Sequence, residues 1–373
     1  MNVRGKKIYV GLSGGVDSAV SAALLKRAGA LVTGVFIKGW YPPGMPCTWA
    51  ADRRDAMRVA ARLHIPFHTL DASAEYKKSV IDYLLAEYRA GRTPNPDVMC
   101  NKEIKFGVFY RYALRAGAEY IATGHYAQTA NSELAAKKFS DLFAPGSARF
   151  LSLSRQHLNS PLMRGIDTEK DQSYFLWAVP RVVLARTLFP VGNMEKSRVR
   201  SLARKFGIPV AQKKDSQGVC FIGDVSVDEF LRSEFGEAPG RAYDEKGRLV
   251  GQHDSALLYT IGERVALRGA SGGGGPWFVY KKDIAKNELS VRKTRLLNPA
   301  GAFLEISFTD SNWLHEPVGV LKAQCRYRGE RISGRVEKGR FISAAPFLEQ
   351  PVPGQSIVFY RNDELIGGGI ISA

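Results

Sequence analysis

Residues Gly11-Leu12-Ser13-Gly14-Gly15-Val16-Asp17-Ser18 have the types and spacing to hold a row of phosphates. They follow Ile8-Tyr9-Val10 and precede Ala19-Val20-Ser21-Ala22-Ala23-Leu24-Leu25, which reads as strand, tight turn and helix. Gly14 and Gly15 allow positive φ and close approach of the backbone to a ligand. Such a turn aims N–H groups at an anion held on the helix N-terminus. Ser13 and Ser18 add hydroxyl donors. Asp17 supplies a carboxylate able to hold Mg²⁺ between phosphate oxygens. No lysine lies inside the turn, so this is not the G-x-x-x-x-G-K-[ST] loop that grips β- and γ-phosphates. A plain strand-to-helix turn needs only a glycine pair, and this stretch carries more than that.

Two cysteines lie where they could do chemistry. Cys100 ends Gly91-Arg92-Thr93-Pro94-Asn95-Pro96-Asp97-Val98-Met99, a loop stiffened by two prolines. Asn101-Lys102-Glu103-Ile104-Lys105-Phe106 then opens a helix. A helix N-terminus and two nearby lysines favour thiolate over thiol, and Asp97 is near enough to move a proton. A small buried residue packing a helix end is the equally weighted alternative. Cys220 sits in Lys213-Lys214-Asp215-Ser216-Gln217-Gly218-Val219-Cys220-Phe221-Ile222-Gly223, a polar turn leading into a short apolar strand. Taken alone, it reads as a buried strand cysteine. Cys47 and Cys325 carry no such signal. No C-x-x-C pair is present, which argues against a zinc ribbon. Pro66 keeps His64 and His68 off one helix face. Trp40-Tyr41-Pro42-Pro43-Gly44 and Gly272–Gly275 read as surface loops.

The elements that must position these groups fall into two textures. Strands are expected at Lys7–Leu12, Val32–Ile37, Pro66–Leu70 and Tyr120–Thr123, and helices at Ser18–Ala28, Ala51–Leu63, Ala74–Ala90 and Ile104–Ala116. This βαβ alternation predicts an α/β fold with a doubly wound parallel sheet, ligands binding beyond the carboxyl ends of its strands. Asn131–Leu162 lacks periodicity and reads as a surface excursion. Met194–Phe206 reads as a basic helix stopped by Gly207 and Pro209. After Asp215, short apolar runs alternate with turn signals, which predicts small sheets or barrels. The expected units are 1–215, 216–298 and 299–373.

The chain has 373 residues, 45% apolar and 24% charged, as an ordinary globular protein does. No apolar run approaches the ~20 residues of a membrane span, and the first strand begins near Lys7, so a cytoplasmic location is expected. Net charge is +17, from 53 Lys and Arg against 36 Asp and Glu. That excess points to a polyanionic partner. Nine basic residues lie between Arg181 and Asp215, against two acids, and seven between Lys322 and Arg340, again against two. Such clusters can form a footprint on phosphates.

Ser-Gly-Gly-Val-Asp-Ser resembles the pyrophosphate loop of enzymes that split ATP into AMP and pyrophosphate. Further segments make the resemblance specific: Thr93–Phe106, Ala122-Thr123-Gly124-His125-Tyr126, Lys170-Asp171-Gln172-Ser173-Tyr174-Phe175-Leu176, Gly218–Gly223, Gly251-Gln252-His253, Tyr259-Thr260-Ile261-Gly262 and Arg326-Tyr327-Arg328. Together they resemble the tRNA 2-thiouridylases, which place sulfur on C2 of the wobble uridine of certain tRNAs. The resemblance implies that Gly11–Ser18, Ile37 and Gly124 bind ATP, with Mg²⁺ accompanying it. It implies that Cys100 is the nucleophile and Cys220 the persulfide carrier. It implies that Asn95, Pro96 and Asp97 meet the target base. The implied tRNA contacts are His125, Lys170, Asp171, Gln172, Arg326, Tyr327 and Gln355. It implies a central small β domain, a C-terminal β-barrel that contacts tRNA, a separate persulfide donor protein and a monomeric enzyme. The two thiols would then close to roughly 6 Å between Cα atoms at some stage.

The sequence departs from the family pattern at Gly39, usually asparagine, at Glu263, often glutamine, at Val265, often lysine, and in the length of 131–162. These positions bear on the choice of tRNA. Two other readings of the residues remain: a ligase of the same ATP chemistry acting on a small carbonyl substrate, and a non-catalytic RNA-binding protein with a relic loop.

Overall fold

The computed structural model describes residues 2–44, 49–129, 161–214, 226–269, 276–295, 303–346 and 350–372. Cys47, Cys220, Gly272–Gly275 and the expected boundaries near 216 and 298 lie outside the described residues.

The first seven strands are β1 (Lys7–Gly11), β2 (Leu31–Lys38), β3 (Phe67–Asp71), β4 (Tyr120–Ala122), β5 (Ala127–Thr129), β6 (Leu162–Arg164) and β7 (Thr187–Leu188). Five of them form a sheet in the order β3-β2-β1-β4-β7, with every pair parallel. Ile8 and Val10 are fully buried within it, as a strand covered on both faces requires. Helices Val16–Arg27, Trp49–Arg62 and Lys196–Lys205 pack one core with β1. Phe106, Phe109 and Ala113 of a second helical layer pack another with Val35 and Ile121. The chain leaves β1 toward β2 on one side and returns as β4 on the other. That switch point is where such sheets open a ligand crevice.

The helix bearing Cys100 begins earlier than the sequence suggested. It starts at Pro96, runs as a π-helix over Cys100–Val108 and continues to Arg115. The Asn95 side chain caps it, accepting the Val98 N–H at 3.2 Å. Pro96 takes the first helical position, where a missing N–H costs nothing. The helical run before it, expected as one helix over Ala74–Ala90, occupies Ser73–Arg89 with a π segment at Lys77–Ile81.

A second unit holds β8 (Gly240–Tyr243), β9 (Leu249–His253), β10 (Arg264–Val265), β11 (Trp277–Asp283) and β12 (Glu288–Arg292), ordered β10-β11-β12-β8-β9. Helix Val227–Phe235 packs on it behind a Ser226/Glu229 capping box. A third holds β13 (Glu305–Trp313), β14 (Leu321–Gln324), β15 (Arg331–Glu337), β16 (Arg340–Ser343), β17 (Ser356–Arg361) and β18 (Glu364–Ile371). Pairing of β13 with both β16 and β18 closes these into a barrel. The molecule is therefore α/β, with an N-terminal parallel sheet, a small mainly β unit and a C-terminal β-barrel.

The barrel does not stand apart. β18 pairs with β6, setting Leu365 opposite Leu162 and Glu364 opposite Met163, and β6 pairs with β5. Leu162, which the sequence placed at the end of a surface excursion, is a buried strand residue. Its partner strand lies about 200 residues away, so no local pattern could reveal it.

Candidate nucleotide and thiol site

The glycine-rich turn connects β1 to helix Val16–Arg27. Leu12 anchors it by donating its N–H to the Val35 carbonyl at 2.8 Å and burying its side chain against Gly34. Gly14 has φ +78°, and a Cβ there would lie 2.4 Å from the Asp52 carbonyl oxygen. Only glycine fits that position. The Ser18 hydroxyl accepts the Ser13 N–H at 3.2 Å and donates to the Gly15 carbonyl at 3.2 Å. Gly15 donates to the Ser13 hydroxyl. Val16, Asp17 and Ser18 open the helix, where their N–H groups have no intrahelical acceptor. Gly124, just beyond β4, presses on the same turn. A Cβ on it would lie 2.6 Å from the Ser18 nitrogen. Ile37 sits at the carboxyl end of β2, partly buried. Gly11 through Ser18, Ile37 and Gly124 thus converge on the switch-point crevice.

The Asp17 carboxylate is already engaged. Both of its oxygens lie 2.8 Å from Lys196 Nζ, and the Tyr126 hydroxyl donates to one of them at 2.8 Å. Lys196 opens its helix and also lies over the Tyr126 ring. Among the described residues, no cluster of three metal-ligating side chains occurs. A carboxylate neutralised by an ammonium is a poor metal ligand, so these residues do not fit a protein-held Mg²⁺. Lys196 and Tyr126 were missed as loop partners in the sequence. Lys196 was visible only as one charge in a basic cluster.

Cys100 is a buried thiol, 3% exposed. One turn before it, burial pushes the Asp97 carboxyl up from its ordinary value, against the pull of Lys105. Asn101 donates to the Phe175 carbonyl at 3.2 Å, but its buried Oδ1 has no partner. The buried Thr93 hydroxyl has none either. Buried polar atoms left open beside a thiol suit a site that a substrate completes. His125 packs between the Phe106 and Phe189 rings, with its Nδ1 2.8 Å from the Thr123 hydroxyl. Burial, with Lys105 adding to it, pushes its pKa well below the usual histidine value. His125 is therefore a neutral, 8%-exposed imidazole bridging the Cys100 helix and the Gly124 strand end.

The barrel reaches this site directly. Gln355 donates to the Thr93 carbonyl at 2.8 Å and the Pro94 carbonyl at 3.3 Å. Neighbouring Gly354, with φ +90°, lies so close that a Cβ would sit 2.9 Å from the Thr93 backbone. Tyr327 packs against Phe175, the two rings tilted by 47° with centroids 4.6 Å apart. Asp171 is buried: it accepts from Arg164 at 2.7 Å, the Gly165 N–H at 2.9 Å and the Ser173 N–H at 3.1 Å. Gln172 accepts the Tyr126 N–H through its side chain at 3.1 Å. Asp171 and Gln172 thus brace the fold, and Lys170 beside them is half-buried.

The basic clusters are partly consumed internally. Lys213 pairs with Asp52 at 2.8 Å and Asp55 at 2.7 Å. Arg200 donates to the Ala211 and Lys213 carbonyls. In the barrel, Arg340 pairs with Glu305, and Arg328 donates to the Glu169 carbonyl. Arg326 and Gln355, with Thr260, Glu263 and Arg295 of the central unit, line a cavity of about 350 Å³. Among the described residues, no helix is long and apolar enough to cross a membrane.

Comparison with known proteins covers the whole chain. Residues 6–224 match the family described as tRNA methyl transferase HUP domain, 228–293 the tRNA methyl transferase PRC-barrel domain, and 304–371 the aminomethyltransferase beta-barrel domain. The tRNA-specific 2-thiouridylase MnmA of Enterococcus faecalis is 41% identical over 381 residues, covering 98% of this chain and 95% of the relative. The protein of the same name from Francisella tularensis subsp. holarctica is 40% identical over 383 residues, covering 98% and 99%. Among solved structures, NMN synthetase from Francisella tularensis aligns over 62% of this chain and 73% of its own, at 18% identity and a TM-score of 0.33. At 41% identity along nearly its full length, the chain belongs to the tRNA-specific 2-thiouridylase family.

Proposed function

We propose that this protein is an ATP-dependent sulfurtransferase that replaces the C2 oxygen of the wobble uridine of tRNA with sulfur. The observation that carries this reading is the bond from Gln355 to the Thr93 and Pro94 carbonyls. It fastens a barrel whose Lys322–Arg340 stretch is basic to the loop of a buried thiol, in a molecule that also holds a glycine-rich turn suited to phosphates. Methyl transfer from a sulfonium donor would need no pyrophosphate cradle, so the turn favours thiolation over the chemistry in the domain descriptions.

The C2 carbonyl of uracil is a weak electrophile. In the proposed reaction its oxygen attacks the α-phosphate of ATP, pyrophosphate leaves toward Gly11–Ser18, and the oxygen becomes a good leaving group. Loop N–H groups and the Ser13 and Ser18 hydroxyls stabilise charge on the departing phosphates. Ile37 and Gly124 bound the rest of the nucleotide. Cys220 carries sulfur as a persulfide from a donor protein. Cys100 attacks the inner sulfur, a Cys100–Cys220 disulfide forms, and hydrosulfide leaves to attack C2 and displace AMP. Direct attack by the persulfide is the other order of events. Asp97, with its raised pKa, moves the proton. Asn95, Pro96 and Asp97 face the base. Lys170, Gln172, Arg326, Tyr327 and Gln355 surround the anticodon loop, braced by Asp171 and His125. Extruding the uridine costs a few kcal/mol.

The test is mass spectrometry of tRNA nucleosides after incubation with ATP and a persulfide donor. Cys100→Ser and Cys220→Ser are expected to abolish 2-thiouridine. Unchanged 2-thiouridine in cells lacking this protein would overturn the reading.

A further inference from the structure

The cavity between the central unit and the barrel is built, not incidental. Its central wall, the turn at Thr260–Glu263, is locked by the Glu263 carboxylate, which accepts the Thr260 N–H at 2.8 Å. The same wall is tied to the catalytic unit. Lys282 donates to the Tyr259 carbonyl at 2.9 Å and lies over the Tyr88 ring. Ile284 lies where a Cβ on Gly91 would be, 3.0 Å away. The opposite wall holds Gln355, bonded to Thr93 and Pro94. Both walls are thus fastened to residues 88–94, the stretch that runs into the Cys100 loop.

Two arginines line this space, Arg295 from the central unit and Arg326 from the barrel. Among the described residues, neither has a carboxylate within ion-pair distance. Glu263, the one acid lining the cavity, is turned to Thr260. Two unpaired cations from separate units match the phosphodiester of a nucleotide. A volume of about 350 Å³ accommodates one nucleotide.

We infer that this cavity binds the single-stranded nucleotide adjoining the target uridine, its phosphate held between Arg295 and Arg326. This rests on the proposed action on tRNA and adds a subsite contributed by the central unit.

The experiment measures binding of a fluorescent anticodon stem-loop to the full chain across a salt series, with wild type, Arg295→Ala and Arg295→Lys. Arg295→Ala is expected to weaken binding about tenfold and to flatten the slope of log K against log salt by about 0.7. Arg295→Lys should recover most of both. ATP-dependent stabilisation and the melting temperature should stay at wild-type values, since Arg295 is exposed. A neutral methylphosphonate beside the target uridine locates the contact. It should weaken wild type by more than Arg295→Ala does, because both arginines lose their partner, and should weaken Arg295→Ala by less than it weakens wild type. Wild-type affinity and slope in Arg295→Ala, or losses from variant and methylphosphonate that simply multiply, would overturn the subsite. Failure of the wild-type chain to bind or thiolate RNA would instead remove the functional reading beneath it.

Discussion

Lys196 Nζ sits 2.8 Å from both carboxylate oxygens of Asp17, joining the first residue of one helix to the glycine-rich turn at the head of another. The pair is largely shielded from water, with the lysine side chain 12% exposed. Lys196→Met should leave Asp17 held by Tyr126 alone and cost about 2 kcal/mol of stability. It should also lower the ATP-dependent rate on the order of 100-fold. Adding Asp17→Asn is expected to restore much of the melting temperature but none of the rate. Thermal unfolding and pyrophosphate release measured side by side would show the split.

Gly124 and Gly11 should respond oppositely to the same methyl group. Alanine at 124 collides with the Ser18 nitrogen, a backbone atom that cannot step aside. At Gly11 the nearest neighbour is a Phe109 ring carbon at 3.7 Å, an ordinary contact. Gly124→Ala is expected to cost about 1–3 kcal/mol and to abolish the thermal shift produced by ATP. Gly11→Ala should keep both.

Asp97 gives a pH-dependent prediction. Burial raises its folded pKa above the unfolded value of 3.8. The folded state then holds the proton more tightly, so Asp97 favours folding at low pH and this contribution is lost as pH rises through the folded value. Asp97→Asn removes that loss. Its stability relative to wild type should therefore improve between pH 4 and neutrality, while thiolation falls by on the order of 100-fold. Urea denaturation at several pH values reads the first effect.

Lys282 titrates in the other direction. Burial lowers its pKa from 10.5 to about 8. Between those values the unfolded chain binds the extra proton, so wild-type stability should rise with pH from about 8 to 10.5. Lys282→Met should lack this rise and be the more stable protein near pH 7. Denaturation curves across that range would test it.

Much of the nucleotide site was legible because it is local. Strand, glycine turn and helix follow one another within Lys7–Arg27, and period and turn chemistry announce each. The start of the Cys100 helix was misplaced because Pro94 and Pro96 read as a loop, whereas Pro96 in fact opens the helix behind the Asn95 cap. The π segment at Cys100–Val108 has no sequence period of its own. Partnerships across long separations were invisible. Nothing near Gln355 foretells the Thr93 and Pro94 carbonyls that it bonds. Nothing near Lys196 names Asp17. The Arg295–Arg326 cavity draws its lining from stretches separated in the chain and exists only once they assemble.

The pairing of β18 with β6 has a consequence for how the molecule is made. One edge of β6 can find its hydrogen-bonding partner only when residues 364–365 have emerged from the ribosome. A nascent chain ending before residue 364 would carry that edge open, however well the N-terminal parallel sheet had already formed. A chain cut before residue 364 should therefore yield an insoluble polypeptide rather than a smaller working enzyme.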